Sequence, residues 1–330
     1  MKVSIIIPFY NVEDYIERSL KSALSQSYGD IEIILVNDCS TDQSLEKVEK
    51  IVASSSRLSC IKLVQHAQNK GVAIARNSGI DNSTGDYIYF LDSDDELPIS
   101  AIADLVAAAG EDKPDIVIGD YEVIGGSKSD YISIKGDCRN VEGKGAVLNS
   151  FLSKQWYDGT WNKLESRKMI IDNRIRFYEG IVHEDILWSF EIALYAYSLK
   201  YCHKVTYYYH IRSGSITQSI SDRNFSSLVI VMERMVNLAL DKCLYQTQPE
   251  LLNYFANLRI YLLKRMVECN MPTVYIKTKI DDVNNLFSSK YFRLSSSLYS
   301  FGSNVKVFLY HLPIPLTISL VRLFFYISKR

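Results

Sequence analysis

Residues Gly85–Glu96 read GDYIYFLDSDDE, and this stretch decides the fold. The apolar and aromatic run Tyr87–Leu91 is typical of a strand buried on both faces, and it ends abruptly in the acidic cluster Asp92–Glu96. Carboxylates packed this closely repel one another, which raises their pKa values unless a cation neutralises them. Oxygen ligands of this kind favour Mg²⁺ or Mn²⁺ over zinc. A solvated acidic turn that caps a helix starting near Pro98 is the alternative.

The composition is that of an ordinary globular protein. The chain has 330 residues, of which 47% are hydrophobic and 23% charged, enough for one large α/β domain with an appended part. The 37 basic and 38 acidic residues leave a net charge of −1. No overall basic surface therefore predicts binding to nucleic acid.

The cysteines and the N-terminus indicate the compartment. The 6 cysteines include no C-x-x-C pair, so we expect reduced thiols and neither a zinc site nor a disulfide framework. The N-terminal apolar run is short and charge returns at Glu13, as in a first strand and not in a signal peptide. These features favour a cytoplasmic protein.

Apolar, β-branched runs alternate with helical patterns in the first third of the chain. The predicted strands are Val3–Phe9, Ile31–Val36, Ser59–Gln65 and Tyr87–Leu91. Asn11 is expected to cap the first helix. The alternation predicts right-handed βαβ crossovers and a mostly parallel, Rossmann-like sheet flanked by helices. Ligands bind outside the carboxyl ends of such strands, which brings Pro8–Asn11, Asp38 and Asp92–Asp95 to one edge.

The segment after the first strand, PFYNVE, contains no glycine. It matches neither the G-x-G-x-x-G loop of dinucleotide folds nor a P-loop. It also lacks the glycine-rich basic loop that nucleotidyl transfer to a sugar phosphate would need. A nucleotide at this edge would therefore be held by side chains and metal.

Three later stretches carry further candidate residues. Trp161 and a second tryptophan nearby either line a sugar pocket or pack in the core. Glu184 and Asp185 stand in the first turn of a largely buried helix, where the macrodipole is expected to lower a carboxylate pKa, although capping alone would explain them. The late strand Tyr201–His210 precedes Arg212 in a loop suited to phosphate contacts.

Seven blocks in a fixed order make the chain similar to the family-2 glycosyltransferases of the GT-A type. They are SIIIPFYNVEDYIERSLKSALSQSY, IEIILVNDCSTDQS, NKGVAIARNSGI, STGDYIYFLDSDDELP, TWNKL, HEDILWS and YYYHIRSGSIT, and they span about residues 3–217. The resemblance implies a GT-A fold, a nucleotide-sugar donor that is most often a UDP-sugar, and inversion at the anomeric carbon. For bacterial members it implies a glycan or lipid-linked acceptor in capsule, O-antigen or exopolysaccharide synthesis.

The resemblance also implies roles for the residues of the donor site. The sequence DSD matches the family's D-x-D motif, in which Asp94 would bind Mn²⁺ or Mg²⁺ on the donor diphosphate and Asp92 would hold the ribose side or lie in the second coordination shell of the metal. Asp38 matches the aspartate that accepts a hydrogen bond from the uracil imide. Pro8 and Tyr10 would flank that base.

Further roles follow from the remaining blocks. Arg76 lies in the match to N-x-G-x-x-x-A-R-N and would support the nucleotide site. Asp185 matches the catalytic base, with His183 and Glu184 near the acceptor. His210 stands where the family often has arginine, which leaves open whether His210 or Arg212 meets the diphosphate.

Two domains are expected, a GT-A nucleotide-sugar-binding and catalytic domain over residues 1–218 and a helical C-terminal region over residues 219–330. Residues 305–330 predict a basic amphipathic helix, and their uncharged run Val307–Val321 falls short of the ~20 apolar residues that span a bilayer. It would either lie on the inner face of the cytoplasmic membrane or pack on the protein. A non-catalytic nucleotide-sugar-binding subunit of a polysaccharide assembly complex is the alternative function, against which the predicted metal site and base together argue.

Overall fold

The structure is a computed structural model that describes residues 1–125, 140–211, 221–286, 316 and 318–320. The chain divides into two compact units. The first contains the described residues of Met1–Gly180 and Glu184–Gly214, and the second contains Ile181–His183 with the described residues of Ser215–Arg330. The predicted assignment of roles to residues 1–218 and 219–330 stays a prediction.

In the described part of the first unit, eight strands form one sheet. They are β1 (Val3–Phe9), β2 (Ile31–Asn37), β3 (Ile61–Gln65), β4 (Tyr87–Phe90), β5 (Ile116–Ile124), β6 (Val141–Glu142), β7 (Lys163–Ser166) and β8 (Ser198–His210). Their order across the sheet is β3-β2-β1-β4-β7-β5-β8-β6. β1 pairs in parallel with β2 and β4, β2 with β3, and β5 with β8. The predicted mostly parallel sheet is confirmed.

Helices cover both faces of this sheet. Those of the first unit are α1 (Ile16–Leu24), α2 (Ser44–Ala53), α3 (Val72–Asp81), α4 (Ala101–Ala109), α5 (Ala146–Leu152), α6 (Arg167–Asp172) and α7 (Glu184–Tyr195). Every residue of β1 and β4 is consequently buried, as the apolar sequences predict. Contact between α3 and β1 is close, because a Cβ at Gly79 would lie 2.3 Å from Cγ2 of Ile6.

The sequence analysis did not predict β7, which runs antiparallel between β4 and β5 in the middle of the sheet. Its residues Lys163 and Glu165 are fully buried although both are ionisable. A buried strand with two charged side chains does not show the apolar run by which such strands are recognised. The segment TWNKL was therefore considered for the pocket role of Trp161, and no strand was predicted in it.

The predicted helix cap at Asn11 is wrong. α1 begins at Ile16, and the N-cap residue before it, Tyr15, makes no side-chain cap hydrogen bond. Asn11 instead has a φ of 49°, and its Oδ1 accepts a hydrogen bond of 2.8 Å from the backbone N–H of Thr41. Asn11 therefore ties the segment after β1 to the segment after β2.

The second unit confirms the predicted helical C-terminal region. Its described helices are α8 (Asp222–Asp241), α9 (Glu250–Glu268) and α10 (Thr273–Leu286). Arg259 is buried on α9, and its Nε donates a hydrogen bond of 3.0 Å to Oδ1 of Asn284 on α10. None of the helices in the described ranges is long and apolar enough to cross a membrane. The predicted amphipathic helix over residues 305–330 lies almost entirely outside the described residues.

Candidate donor and acceptor site

The carboxyl ends of β1, β2 and β4 meet at one edge of the sheet. The backbone N–H of Asp38, after β2, donates a hydrogen bond of 3.0 Å to the carbonyl of Phe9 at the end of β1. The N–H of Leu91, after β4, donates one of 3.0 Å to the carbonyl of Ile6. These bonds fix the backbone segments that lead into the predicted donor residues.

The carboxylate of Asp38 is buried and accepts three hydrogen bonds. The donors are the backbone N–H groups of Lys70 at 2.9 Å and Gly71 at 2.7 Å, and Nδ1 of His66 at 2.7 Å. Gly71 has a φ of +90°, a conformation that favours glycine and aims its N–H at Asp38. A carboxylate has about four lone-pair sites, so one remains for a ligand N–H.

His66 continues this network into α3. Its Nε2 lies 2.9 Å from Oγ of Ser78. In a neutral imidazole, Nδ1–H donates to Asp38 and Nε2 accepts from the Ser78 hydroxyl, which fixes the ring. The sequence analysis did not identify His66, although a polar residue directly after β3 was a usable signal.

Tyr10 and Pro8 differ in how much of each is exposed. Tyr10 is 43% exposed beyond the end of β1, so its ring is free to meet a flat ligand. Pro8 is buried within β1, opposite Val36 of β2. The predicted contact of both residues with a base stays a prediction.

Arg76 connects two motifs that are far apart in the sequence. Its side chain is 7% exposed, with Nη2 at 3.0 Å from Oδ1 of Asp92 and Nη1 at 2.8 Å from Oε1 of Glu184. Its guanidinium carbon lies 5.3 Å from the centroid of the Phe177 ring. Burial lowers the pKa of Arg76, but the charges of Asp92, Glu184 and Asp185 raise it by more. Arg76 therefore remains a cation between the D-x-D motif and the start of α7.

Asp95 holds the acidic loop against β8. Its carboxylate accepts hydrogen bonds from the hydroxyl of Tyr207 at 2.7 Å and the backbone N–H of His210 at 2.8 Å. Burial, with the nearby charges of Asp92 and Asp94, raises the pKa of Asp95 to about 8. The expected mutual repulsion thus acts on Asp95, which serves as an anchor of the loop.

Asp92 and Asp94 are the candidate metal ligands of the loop. Asp92 is 26% exposed and Asp94 is half-buried. No group of three or more His, Cys, Asp or Glu side chains in the described ranges could hold a metal ion. The two aspartates nevertheless fit Mg²⁺ or Mn²⁺, because Mg²⁺ is usually held by one or two carboxylates together with substrate phosphates and water.

The environment of Asp185 differs from the expectation. Burial, together with the charges of Glu184 and Asp158, raises the pKa of Asp185 to about 8. Arg76 and the N–H of Ile186, which donates to Oδ1 of Asp185 at 2.9 Å, act in the opposite direction. The predicted lowering by the helix N-terminus is therefore wrong, because burial and two acidic neighbours outweigh it.

Trp161 is packed among aromatic side chains. It is 6% exposed and stacks on Tyr157 at 4.6 Å, Tyr207 at 4.7 Å and Tyr209 at 5.5 Å between ring centroids. Of the two alternatives, this favours core packing. A role for Trp161 behind an acceptor pocket stays a prediction.

Two buried charges on β7 support the same region. Nζ of Lys163 donates to the carbonyl of Gly159 and lies 4.5 Å from the centroid of the Tyr157 ring. Nε1 of Trp188, on α7, donates a hydrogen bond of 3.1 Å to Oε2 of Glu165. Burial lowers the pKa of Lys163 to about 8 and raises that of Glu165 to about 7. The sequence analysis missed both residues.

The last predicted residues are found in different parts of the chain. Nε2 of His210 lies 3.5 Å from Oε2 of Glu96 in the first unit. His183 belongs to the second unit and has a φ of 69°. Arg212 lies outside the described residues.

We expect Arg76→Met to lower the free energy of unfolding by about 3–5 kcal/mol, because it leaves two carboxylates near a buried site without their cation. The matched control is Arg176→Met, which removes an ion pair with Asp81 whose members are 38% and 60% exposed. That variant should lose less than about 1 kcal/mol. Equilibrium unfolding in urea at pH 7 measures both. Equal losses in the two variants would contradict the prediction.

Comparison with known proteins agrees with this geometry. The sequence pattern described as Glycosyl transferase family 2 matches residues 4–178. Glycosyltransferase GlyA of Streptococcus pneumoniae is 30% identical over 245 residues, which cover 72% of this chain and 34% of that protein. The chain thus spans about a third of the length of this relative.

Two solved structures share the fold. Residues 1–349 of S. aureus TarS in complex with UDP-GlcNAc match with a TM-score of 0.61 at 20% identity, covering 87% of this chain and 90% of that one. The mannosyltransferase PcManGT from Pyrobaculum calidifontis, in complex with GDP-Man and Mn²⁺, matches with a TM-score of 0.54 at 14% identity, covering 97% and 84%. These matches confirm the predicted GT-A fold. With the sequence pattern matched over more than half of its length, the chain belongs to glycosyl transferase family 2.

Proposed function

We propose that the chain is an inverting, metal-dependent glycosyltransferase that moves a sugar from a nucleotide-sugar donor, most simply a UDP-sugar, to a hydroxyl of a glycan or lipid-linked acceptor. One observation carries the proposal. Arg76 bonds to Asp92 of the D-x-D motif and to Glu184, the residue before the proposed base. A single buried cation therefore joins the proposed donor end of the site to the proposed acceptor end.

The environment of Asp38 supports a base that presents one N–H. Three of its lone-pair sites are occupied by Lys70, Gly71 and His66, and the remaining one suits a single donor such as the uracil imide. Tyr10 is exposed and directly follows Phe9, whose carbonyl bonds to the N–H of Asp38, so its ring is available for stacking on the base. TarS was solved with UDP-GlcNAc, which is consistent with a UDP-sugar donor here.

Asp94, with Asp92, would hold Mn²⁺ or Mg²⁺ on the donor diphosphate. When bound, such an ion stabilises the negative charge that develops on the departing nucleoside diphosphate. Arg76 keeps Asp92 in place from the side of α3. Asp95, bonded to Tyr207 and His210, keeps the loop against β8.

Asp185 would accept the proton of the attacking hydroxyl. General-base catalysis of this type contributes typically ~10²–10⁴-fold to the rate. Attack from the face opposite the leaving diphosphate, in one displacement, inverts the anomeric carbon. A non-catalytic nucleotide-sugar-binding subunit of a polysaccharide assembly complex is the alternative, and it would not need a base beside a metal-binding loop.

The first experiment tests donor binding. We expect calorimetry with a panel of UDP-sugars to detect Mn²⁺-dependent binding of one of them by the wild type, and Asp94→Ala to remove that dependence because it removes the metal ligand. Asp185→Asn should bind the same donor with unchanged affinity and lose turnover, because the amide cannot accept a proton.

The two variants control for each other. A binding loss in Asp185→Asn would contradict its role as a base that acts after the donor is bound. Wild-type binding without turnover of the donor, with or without metal, would favour the non-catalytic alternative. Absence of binding for every UDP-sugar would contradict the choice of nucleotide.

The second experiment is a pH profile. Asp185 can act as a base only when ionised, and its pKa is raised to about 8. We therefore expect donor hydrolysis, with water as the acceptor, to rise about tenfold per pH unit below that pKa and to level off above it. In Asp185→Asn the residual rate should lack this limb. A wild-type profile that is flat between pH 6 and 9 would contradict the assignment.

Residues 305–330 are proposed to hold the protein at an anionic membrane surface, where a lipid-linked acceptor would lie. The support is the sequence, which places Arg322 and Lys329 on one stripe of a helix and leucines on the other. We expect the full chain, but not a chain lacking residues 305–330, to co-sediment with vesicles that contain anionic lipid. Equal sedimentation of both would contradict this role.

A further inference from the structure

Arg18 lies on α1 behind the metal-binding loop. Its Nη2 donates a hydrogen bond of 2.5 Å to the backbone carbonyl of Asp94. The neighbouring Ser19 donates one of 3.2 Å from Oγ to the carbonyl of Asp92. The N-terminal half of α1 therefore contacts both aspartates of the D-x-D motif through their main-chain carbonyls.

Two buried nitrogens beside this loop are poorly satisfied. In the described part of the chain, Nε of Arg18 makes no hydrogen bond, and Nε2 of His210 has only the contact of 3.5 Å with Oε2 of Glu96. A buried donor without a good hydrogen bond costs free energy, and native proteins seldom leave one unsatisfied. A bound ligand with acceptor oxygens would satisfy them.

Arg18 and His210 both bond to the acidic loop, Arg18 at the carbonyl of Asp94 and His210 through its backbone N–H at Asp95. Burial lowers the pKa of His210, and the positive charge of Arg18 lowers it further. The guanidinium of Arg76 is engaged by two carboxylates, whereas Arg18 contacts a carbonyl oxygen. Arg18 thus brings a positive charge to the D-x-D loop, where its described hydrogen bond is to a carbonyl and not to a carboxylate.

We propose that Arg18 is a donor-binding residue, which contacts the diphosphate of the nucleotide from the side of α1, with His210 as a second donor from the end of β8. This assignment rests on the proposed function. The planar guanidinium matches phosphate oxygens, and a diphosphate has enough oxygens to meet donors from two elements. The proposal adds Arg18 to His210 and Arg212, the two residues that the sequence analysis considered for contact with the diphosphate.

The test is calorimetric binding of uridine, UMP and UDP to the full chain, each with Mn²⁺ and with EDTA. We expect Arg18→Met to weaken UDP binding by about tenfold or more, since a charge-assisted contact is lost. The loss should be smaller for UMP and absent for uridine. It should persist in EDTA, because the contact is with phosphate and does not pass through the metal. Arg18→Lys should recover part of the affinity.

Lys21→Met is the matched control, because it removes a positive charge from the same helix where Lys21 pairs with Glu17 at the surface. It should bind all three compounds as the wild type does. Equal weakening for uridine, UMP and UDP in Arg18→Met, unchanged UDP binding, or a loss seen only with Mn²⁺ would overturn the assignment. Failure of the wild type to bind UDP would overturn the proposed function and this assignment with it.

Discussion

The ion pairs of Arg76 are the interaction on which the rest of the site depends. Three segments meet there, since Arg76 comes from α3, Asp92 follows β4 and Glu184 begins α7. Removing two carboxylates and a guanidinium from water is costly, and it is tolerated only when each charge is closely matched. These ion pairs tie the position of the D-x-D loop to the position of the helix that carries Asp185. Neither could shift without leaving a charge near the core unpaired.

The same side-chain chemistry serves different purposes because its surroundings differ. Asp38 accepts three hydrogen bonds and keeps one lone-pair site, Asp92 is paired with a cation, and Asp95 is buried against a hydroxyl and an N–H. Asp94 is held by its main chain. The acidic cluster that dominates the sequence is thus divided between an anchor, an ion pair and a candidate metal ligand. This division explains how the fold accommodates so many carboxylates in one loop.

Periodicity predicted the fold where the pattern was simple. β1 has the predicted limits and β4 ends one residue before its predicted limit, because apolar runs report burial directly. β7 was not predicted because its charged residues Lys163 and Glu165 are buried with partners, the Gly159 carbonyl and Trp188, that the apolar pattern does not reveal. The sequence analysis did not identify His66 and Arg18 for a related reason. Their partners are a carboxylate and a carbonyl that only the folded chain brings near.

The pKa of Asp185 illustrates where local reasoning fails. A helix N-terminus contributes a modest stabilisation to a carboxylate, and the sequence reveals that contribution alone. Burial and the neighbouring charges of Glu184 and Asp158 act in the opposite direction and prevail. The outcome suits a proposed base, because a carboxylate with a pKa near the working pH holds a proton more strongly than an ordinary aspartate does. Arg76 limits the shift, since it also lowers the pKa of Asp185. The cation that fixes the geometry of the site therefore also sets how readily its proposed base ionises.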